Sequence, residues 1–133
     1  MTREQLLALV ERTAFAKRLG AEVTRFAEGE VELTVPITRD LAQQHGYVHG
    51  TVVGFVGDSA CAWAAASVAG DILTSEYKIN LIAPAVGERL IGRGSVIKSI
   101  GRQIVCRADV FVEKCGRERI VATVLATIAK ISL

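Results

Sequence analysis

The stretch His45–Gly70, HGYVHGTVVGFVGDSACAWAAASVAG, decides the fold. It carries both histidines of the chain, His45 and His49, and from Gly50 to Ala69 it is small and apolar around a single charge, Asp58. Its length suits one helix. A helix with no polar face is buried on all sides. A carboxylate inside such a helix is costly unless it is paired, hydrogen-bonded or used. Gly50, Gly54 and Gly57 each cost about 1 kcal/mol relative to Ala in a helix interior. That cost suits a helix whose backbone something must approach closely. Small residues, one enclosed acid and a His-Gly entrance make this stretch a candidate active site.

Outward from it, the pattern changes. Toward the N-terminus, Val31, Leu33, Val35 and Ile37 alternate with Glu30, Glu32, Thr34 and Pro36. That is a half-buried strand, with another over Glu22–Phe26 and a turn at Glu28-Gly29. Thr38 to Tyr47 is polar and reads as a loop with a short helical turn. Thr2 to Leu19 reads as one amphipathic helix, with Thr2 and Gln5 in a capping-box spacing, Leu6, Leu9, Val10 and Ala14 on one face, and Gly20 as the stop. Toward the C-terminus, strands are expected over 74–82, 89–99, 102–113 and 119–131, with turns at Ile100-Gly101 and Cys115-Gly116. The last three are joined by short turns and should be antiparallel neighbours.

The chain has 133 residues, enough for one domain with a real core, taken here as residues 1–133. Sixteen basic residues against 14 acidic ones give +2, with the cations scattered, which does not point to nucleic acid. Cys61, Cys106 and Cys115 show no metal spacing and read as reduced thiols in a cytoplasmic protein. The N-terminal twenty residues carry charges throughout and lack a signal-peptide core. The apolar run Thr51–Ala69 approaches the length of a membrane span. Its Ala and Gly content, the enclosed Asp58 and the lack of flanking Lys or Arg argue against that use, so no membrane partner is expected. Two strands, one long apolar helix and four more strands make an α+β order. One antiparallel sheet of about six strands, wrapped around the central helix, satisfies every period. The sheet covers one side of the helix, and a second copy of the chain is the simplest cover for the other.

A helix starting near Gly50 offers N–H groups at His49, Gly50 and Thr51 to a developing negative charge, as in a carbonyl during acyl transfer. Asp58 lies eight residues on, about 12 Å along the axis. That gap is too wide for both to act on one carbonyl within one chain. Two antiparallel helices across a two-fold axis remove the mismatch, with Asp58 of one chain meeting His49-Gly50 of the other. Asp58 would then be general base or nucleophile. Thr51 shares its face two turns away. No stronger nucleophile is offered, since no GxSxG elbow is present. Two histidines and one Asp do not make a metal site without a third ligand. His45 reads as a loop residue, and His49 as a satisfied buried histidine that orients the loop. Cys61 and Trp63 read as core.

These residues resemble a known family. HGYVHG followed by Asp58, with the strand TSEYKINLIAPA from Thr74 to Ala85 and the turn at Gly101-Arg102, is similar to the hotdog-fold acyl-CoA thioesterases of the phenylacetate-degradation, or PaaI-like, type. The resemblance implies a hotdog fold paired into homodimers and often homotetramers. It implies hydrolysis of acyl-CoA without metal or organic cofactor. By position, it gives Gly50 the N–H that polarises the thioester carbonyl, His49 the shaping of that corner, and Asp58 of the partner the role of base or nucleophile. It offers Thr74 or Ser75 for holding the water. Gln43 stands where the family often has Asn, and Thr51 where it often has a second Gly. Arg93, Lys98 and Arg102 are candidates for the phosphates of coenzyme A, while Tyr47, Phe55 and Trp63 are candidates for shaping the acyl pocket. The alternatives are a hotdog hydratase or dehydratase, which needs a His and an acid aimed at the α and β carbons, and a non-catalytic acyl-CoA sensor. The nearly acid-only helix favours hydrolysis, and a sensor has no need of Asp58.

Overall fold

In the computed structural model, which describes residues 1–131, the long apolar stretch is one helix lying in the concave face of a six-stranded antiparallel sheet. The chain begins with helices α1 (Arg3–Glu11) and α2 (Ala14–Arg18), followed by strands β1 (Glu22–Ala27) and β2 (Glu30–Pro36). A single 3-10 turn, Arg39–Leu41, lies in the polar loop before helix α3 (Gly50–Ala69). Strands β3 (Ile72–Leu81), β4 (Arg89–Ile100), β5 (Gln103–Lys114) and β6 (Arg117–Lys130) complete the sheet. This is the hotdog arrangement expected from the sequence.

One expectation is corrected. The N-terminal segment is two helices, not one. Thr2 and Gln5 do form a capping box. Thr13, however, has extended backbone angles, and its hydroxyl donates to the Leu9 carbonyl at 3.0 Å. A threonine satisfied by its own backbone competes with the helix ladder. The break resets the helical phase, so Ala16 and Leu19 are buried and Ala14 is exposed.

The strand order is β1-β2-β4-β5-β6-β3. The α3 connection therefore carries the chain from β2, near one edge, to β3 at the opposite edge. Alternation sends Val31, Leu33 and Val35 of β2, the even residues 104–112 of β5, and Ala122, Val124, Ala126 and Ile128 of β6 against α3. Helix and sheet come unusually close at β4. A Cβ on Gly92 would lie 2.7 Å from Val56 Cγ1, and one on Gly94 would fall on the carbonyl of Ala60. The sequence cost of glycine in a strand is thus tied to close approach of the helix backbone. Among the described residues, every buried side-chain polar atom has a hydrogen-bond partner. Ser67 illustrates this: it donates to the Ala64 carbonyl and accepts from the Gly29 N–H, tying the end of α3 to the β1–β2 turn.

Helix α3 is the one described helix long and apolar enough to cross a membrane. Most of it is buried against the sheet, and between its two ends, where Gly50, Val68 and Ala69 are also open, its open residues form a narrow stripe, Thr51, Phe55, Asp58 and Ala62, at spacings of four, three and four. That is one helix face. Strand β3 flanks the stripe on one side. On the other, Phe15 of α2 meets Phe55 edge-to-face, with ring centroids 5.1 Å apart.

Candidate active site at the start of the central helix

His49 is the N-cap of α3, and its ring does the capping. The Thr51 N–H donates to His49 Nδ1 at 3.2 Å, and the Thr51 hydroxyl lies 2.7 Å from the same nitrogen. A ring nitrogen that accepts from a backbone N–H carries no proton of its own. His49 thus fixes the entrance through Nδ1, but it is exposed and not the buried histidine its sequence context suggested. The His49 N–H is also taken, by the Leu41 carbonyl at 2.8 Å, and Val52 donates back to the His49 carbonyl at 2.9 Å. Of the three N–H groups expected to be free, the structure therefore removes two. Among the described residues, only the Gly50 N–H in this turn has no acceptor. It points from the positive end of the helix dipole.

Asp58 lies two turns along the open stripe. The Thr74 hydroxyl donates to Asp58 Oδ1 at 2.7 Å, and Oδ2 has no hydrogen-bond partner among the described residues. Burial pushes the Asp58 carboxyl above its usual value of 3.8, and the Thr74 hydrogen bond offsets part of that rise. Thr74 reaches Asp58 because of a β-bulge. Thr74 pairs with Ile128 and Glu76 with Thr127, leaving Ser75 unpaired and exposed. The extra residue moves the following side chains to the other face, so Thr74, Tyr77, Ile79 and Leu81 all face α3. Of the two hydroxyls left open by the sequence, Thr74 meets Asp58 and Ser75 does not.

A cavity of about 330 Å³ opens beside Gly50, lined in part by Gln43, Tyr47, Leu81 and Pro84. Gln43 Oε1 accepts from the His45 N–H at 2.5 Å, and the Gln43 N–H donates to the Tyr47 carbonyl at 2.7 Å. Those bonds fix the turn and, among the described residues, leave the Gln43 amide nitrogen without an acceptor at the cavity. Trp63 is 5% exposed and belongs to the core.

The candidate cations are not with this cluster. Gly92 and Gly94 face the helix, so Arg93 faces the convex side of the sheet. There its guanidinium bonds Glu32 at 2.7 Å and Glu118 at 2.8 and 3.0 Å, and lies 4.9 Å above the Phe111 ring. Lys98 and Arg102 are exposed at the end of β4 and the turn after it. No group of three or more His, Cys, Asp or Glu residues among the described ones is placed to hold a metal ion.

Arg93 has a structural role that can be measured. Burial alone would raise the Glu32 carboxyl, but the Arg93 and Thr24 hydrogen bonds and the Arg93 and Arg25 charges together bring it below its usual value. A depressed folded-state pKa contributes stability at neutral pH that is lost as pH falls through it. Arg93→Met leaves Glu32, whose side chain is 12% exposed, without its main partner. A loss of about 2 kcal/mol is expected, between the ranges for exposed and buried pairs. Urea unfolding of both proteins at neutral and acid pH checks it: the gap should narrow as pH falls.

Comparison with known proteins agrees with this fold. A family model described as the thioesterase superfamily matches residues 45–119, the span from the His-Gly entrance to the start of β6. A thioesterase family protein from Silicibacter pomeroyi is 36% identical, with a TM-score of 0.92 over 95% of each chain. The PaaI protein from the phenylacetic acid degradation operon of E. coli is 22% identical, with a TM-score of 0.90 over 97% of this chain and 92% of its own. A conserved protein of Pseudomonas aeruginosa is 23% identical, with a TM-score of 0.83 over 98% of this chain and all of its own (100%). The last two likenesses speak to the fold alone. No curated protein matches the chain.

Proposed function

The chain belongs to the thioesterase superfamily, and on that premise we propose that it hydrolyses acyl-CoA thioesters in a site shared by two copies. The observation that carries this reading is the solitary unpaired Gly50 N–H at the start of α3, two turns from a half-buried carboxylate on the same open stripe. The thioester carbonyl sits against the Gly50 N–H, which stabilises the oxyanion. Asp58 of the partner subunit takes a proton from water as the water oxygen attacks the carbonyl carbon. The carbon–sulfur bond breaks and coenzyme A leaves as the thiolate. Thr74 holds Asp58 in place, and Gln43 offers its amide nitrogen near the carbonyl. Thr51 and Tyr47 border the bound substrate, Ser75 stands off it at the bulge, and Lys98 and Arg102 are exposed cations that could meet its phosphates from the partner subunit. No metal or organic cofactor enters this scheme. A hydratase reading has less support, because the helix cap takes Nδ1 of the His49 ring and the open stripe offers one acid and no further histidine.

The dimer follows from the reach of the two groups. Gly50 and Asp58 are about 12 Å apart along one helix, but adjacent when two open stripes pack antiparallel. The outer edge of β3 adds to this, since the open edge of a ten-residue strand is a template for another chain. Pairing of such dimers into a tetramer through the convex sheet faces is compatible with this arrangement.

Two substitutions at one position test the oxyanion role. His49 already has the extended ψ of 137° that precedes proline, and Gly50 is the first helical residue. Gly50→Pro therefore deletes the N–H while keeping the helix start. It should lower kcat by about 100-fold or more, the scale of one lost oxyanion donor. Gly50→Ala retains the N–H and should lose far less. Mixing the two inactive chains, Gly50→Pro and Asp58→Asn, tests the shared site. Mixed dimers would regain one intact site, giving about a quarter of wild-type activity for random two-fold pairing. No recovery from mixed dimers would place each site within one chain.

A further inference from the structure

We propose that Tyr77 sets the length limit for the acyl group, holding the enzyme to compact acyl-CoAs of about six carbons or fewer. This rests on the thioesterase reading above. Three contacts in register join β3 to α3: Leu81 beside Gly50, Tyr77 beside Gly54, and Thr74 on Asp58. A Cβ on Gly50 would lie 3.1 Å from Leu81 Cδ1, and a Cβ on Gly54 would lie 3.1 Å from the Tyr77 hydroxyl. The phenol thus occupies the space that Gly54 leaves by having no side chain. Among the described residues its hydroxyl makes no hydrogen bond, and the side chain is 41% exposed. It is placed by packing, with its free surface along the open stripe.

The seam between α3 and β3 is apolar from Gly50 to Gly54, and it becomes enclosed once a second helix packs on the stripe. The cavity at Gly50 meets the seam at Leu81, and away from it is bordered by exposed Tyr47 and Ile82 and reaches solvent. A thioester at Gly50 has two arms. The coenzyme A arm ends in phosphates and needs the solvent side, so the acyl arm takes the seam. Gly50 and Gly54 are one turn apart, about 6 Å. An extended chain advances about 3.5 Å per three bonds, so roughly five bonds fit before the phenol is met. Beyond it the seam continues another turn, to the Thr74–Asp58 pair.

The test reads kcat/KM over straight-chain acyl-CoAs from C2 to C16 for wild type, Tyr77→Phe, Tyr77→Leu and Tyr77→Ala. Binding of non-hydrolysable S-alkyl-CoA thioethers of the same lengths is measured in parallel by calorimetry. Wild type should fall at least tenfold between C6 and C10. Tyr77→Ala and Tyr77→Leu should recover at least tenfold at C10 relative to C4, and Tyr77→Phe should keep the wild-type cutoff. Turnover with the same length profile in wild type and Tyr77→Ala would overturn the assignment and leave the thioesterase standing. So would a wild-type preference for C12 to C16. A C6 cutoff in thioether binding that Tyr77→Ala removes, with no turnover of any acyl-CoA by wild type, would support Tyr77 and sink the hydrolysis reading instead.

Discussion

Asp58→Asn is expected to lower acyl-CoA turnover by about 100-fold or more, the scale of a lost general base, while leaving the fold at least as stable as wild type. Both halves come from one environment. Burial raises the Asp58 carboxyl above its usual 3.8. A base with a raised pKa is stronger, but it must be ionised to work. Wild-type kcat/KM should therefore fall on the acid side through an apparent pKa above the ordinary carboxylate value. The stability sign runs the other way. A carboxyl whose pKa is raised by folding favours the folded state when protonated, and that contribution is lost as pH rises through the raised pKa. Asn cannot ionise, so it avoids the cost while its oxygen still accepts from Thr74. Steady-state thiol release across pH and thermal unfolding at neutral pH check the two halves. Unchanged turnover in the Asn variant would remove Asp58 from the chemistry. A large drop in Tm would show instead that the carboxylate serves the fold.

Gly94→Ala is expected to cost the fold about 3 kcal/mol, at the upper end for overpacking one methyl into a filled core. Its Cβ would meet the Ala60 carbonyl and the Cys61 backbone nitrogen. Strand β4 is bonded on both sides, to β2 and β5, so it has little room to retreat. For a chain of this size that loss is roughly a 10 °C fall in Tm. Gly101→Asn is the control. Gly101 sits in a turn at φ 57° with nothing within 4 Å of an added Cβ, and Asn tolerates that left-handed conformation. Its effect should stay within about 0.5 kcal/mol, typical of surface substitutions. Equal losses at both positions would mean that helix–sheet approach is not what demands glycine at Gly94.

Much of this molecule is written locally. The continuous small apolar run with one acid specified a buried helix, and its bounds at Gly50 and Gly70 follow from His49 capping one end and a glycine at φ 79° closing the other. Period-two alternation specified which residues of β2 face it. Spacing alone placed Asp58 and Thr51 on one face and showed that Gly50 and Asp58 are too far apart to meet within one chain. The break at Thr13 was not legible in the same way, because Leu6, Leu9, Val10 and Ala14 keep a helical spacing across it. Nor was the state of the helix N-terminus. Whether the N–H groups of His49 and Thr51 are free depends on a carbonyl at Leu41 and on a ring rotamer.

Tertiary structure decided which surfaces meet. Alternation tells a strand which face is apolar, but not which strand lies beside it. That β3 crosses to the far edge and pairs with β6 follows from the helix having to span the sheet before the chain returns. The one-residue bulge at Ser75 then decided that Thr74 and Tyr77 share a face, because a slip of one residue inverts every side chain after it. The sequence by itself determined the helix, its acid and the strands that bury it, since those depend on contacts a few residues apart. Thr74 on Asp58 and the phenol of Tyr77 over Gly54 are contacts between segments well separated in the chain, and only packing brings them together.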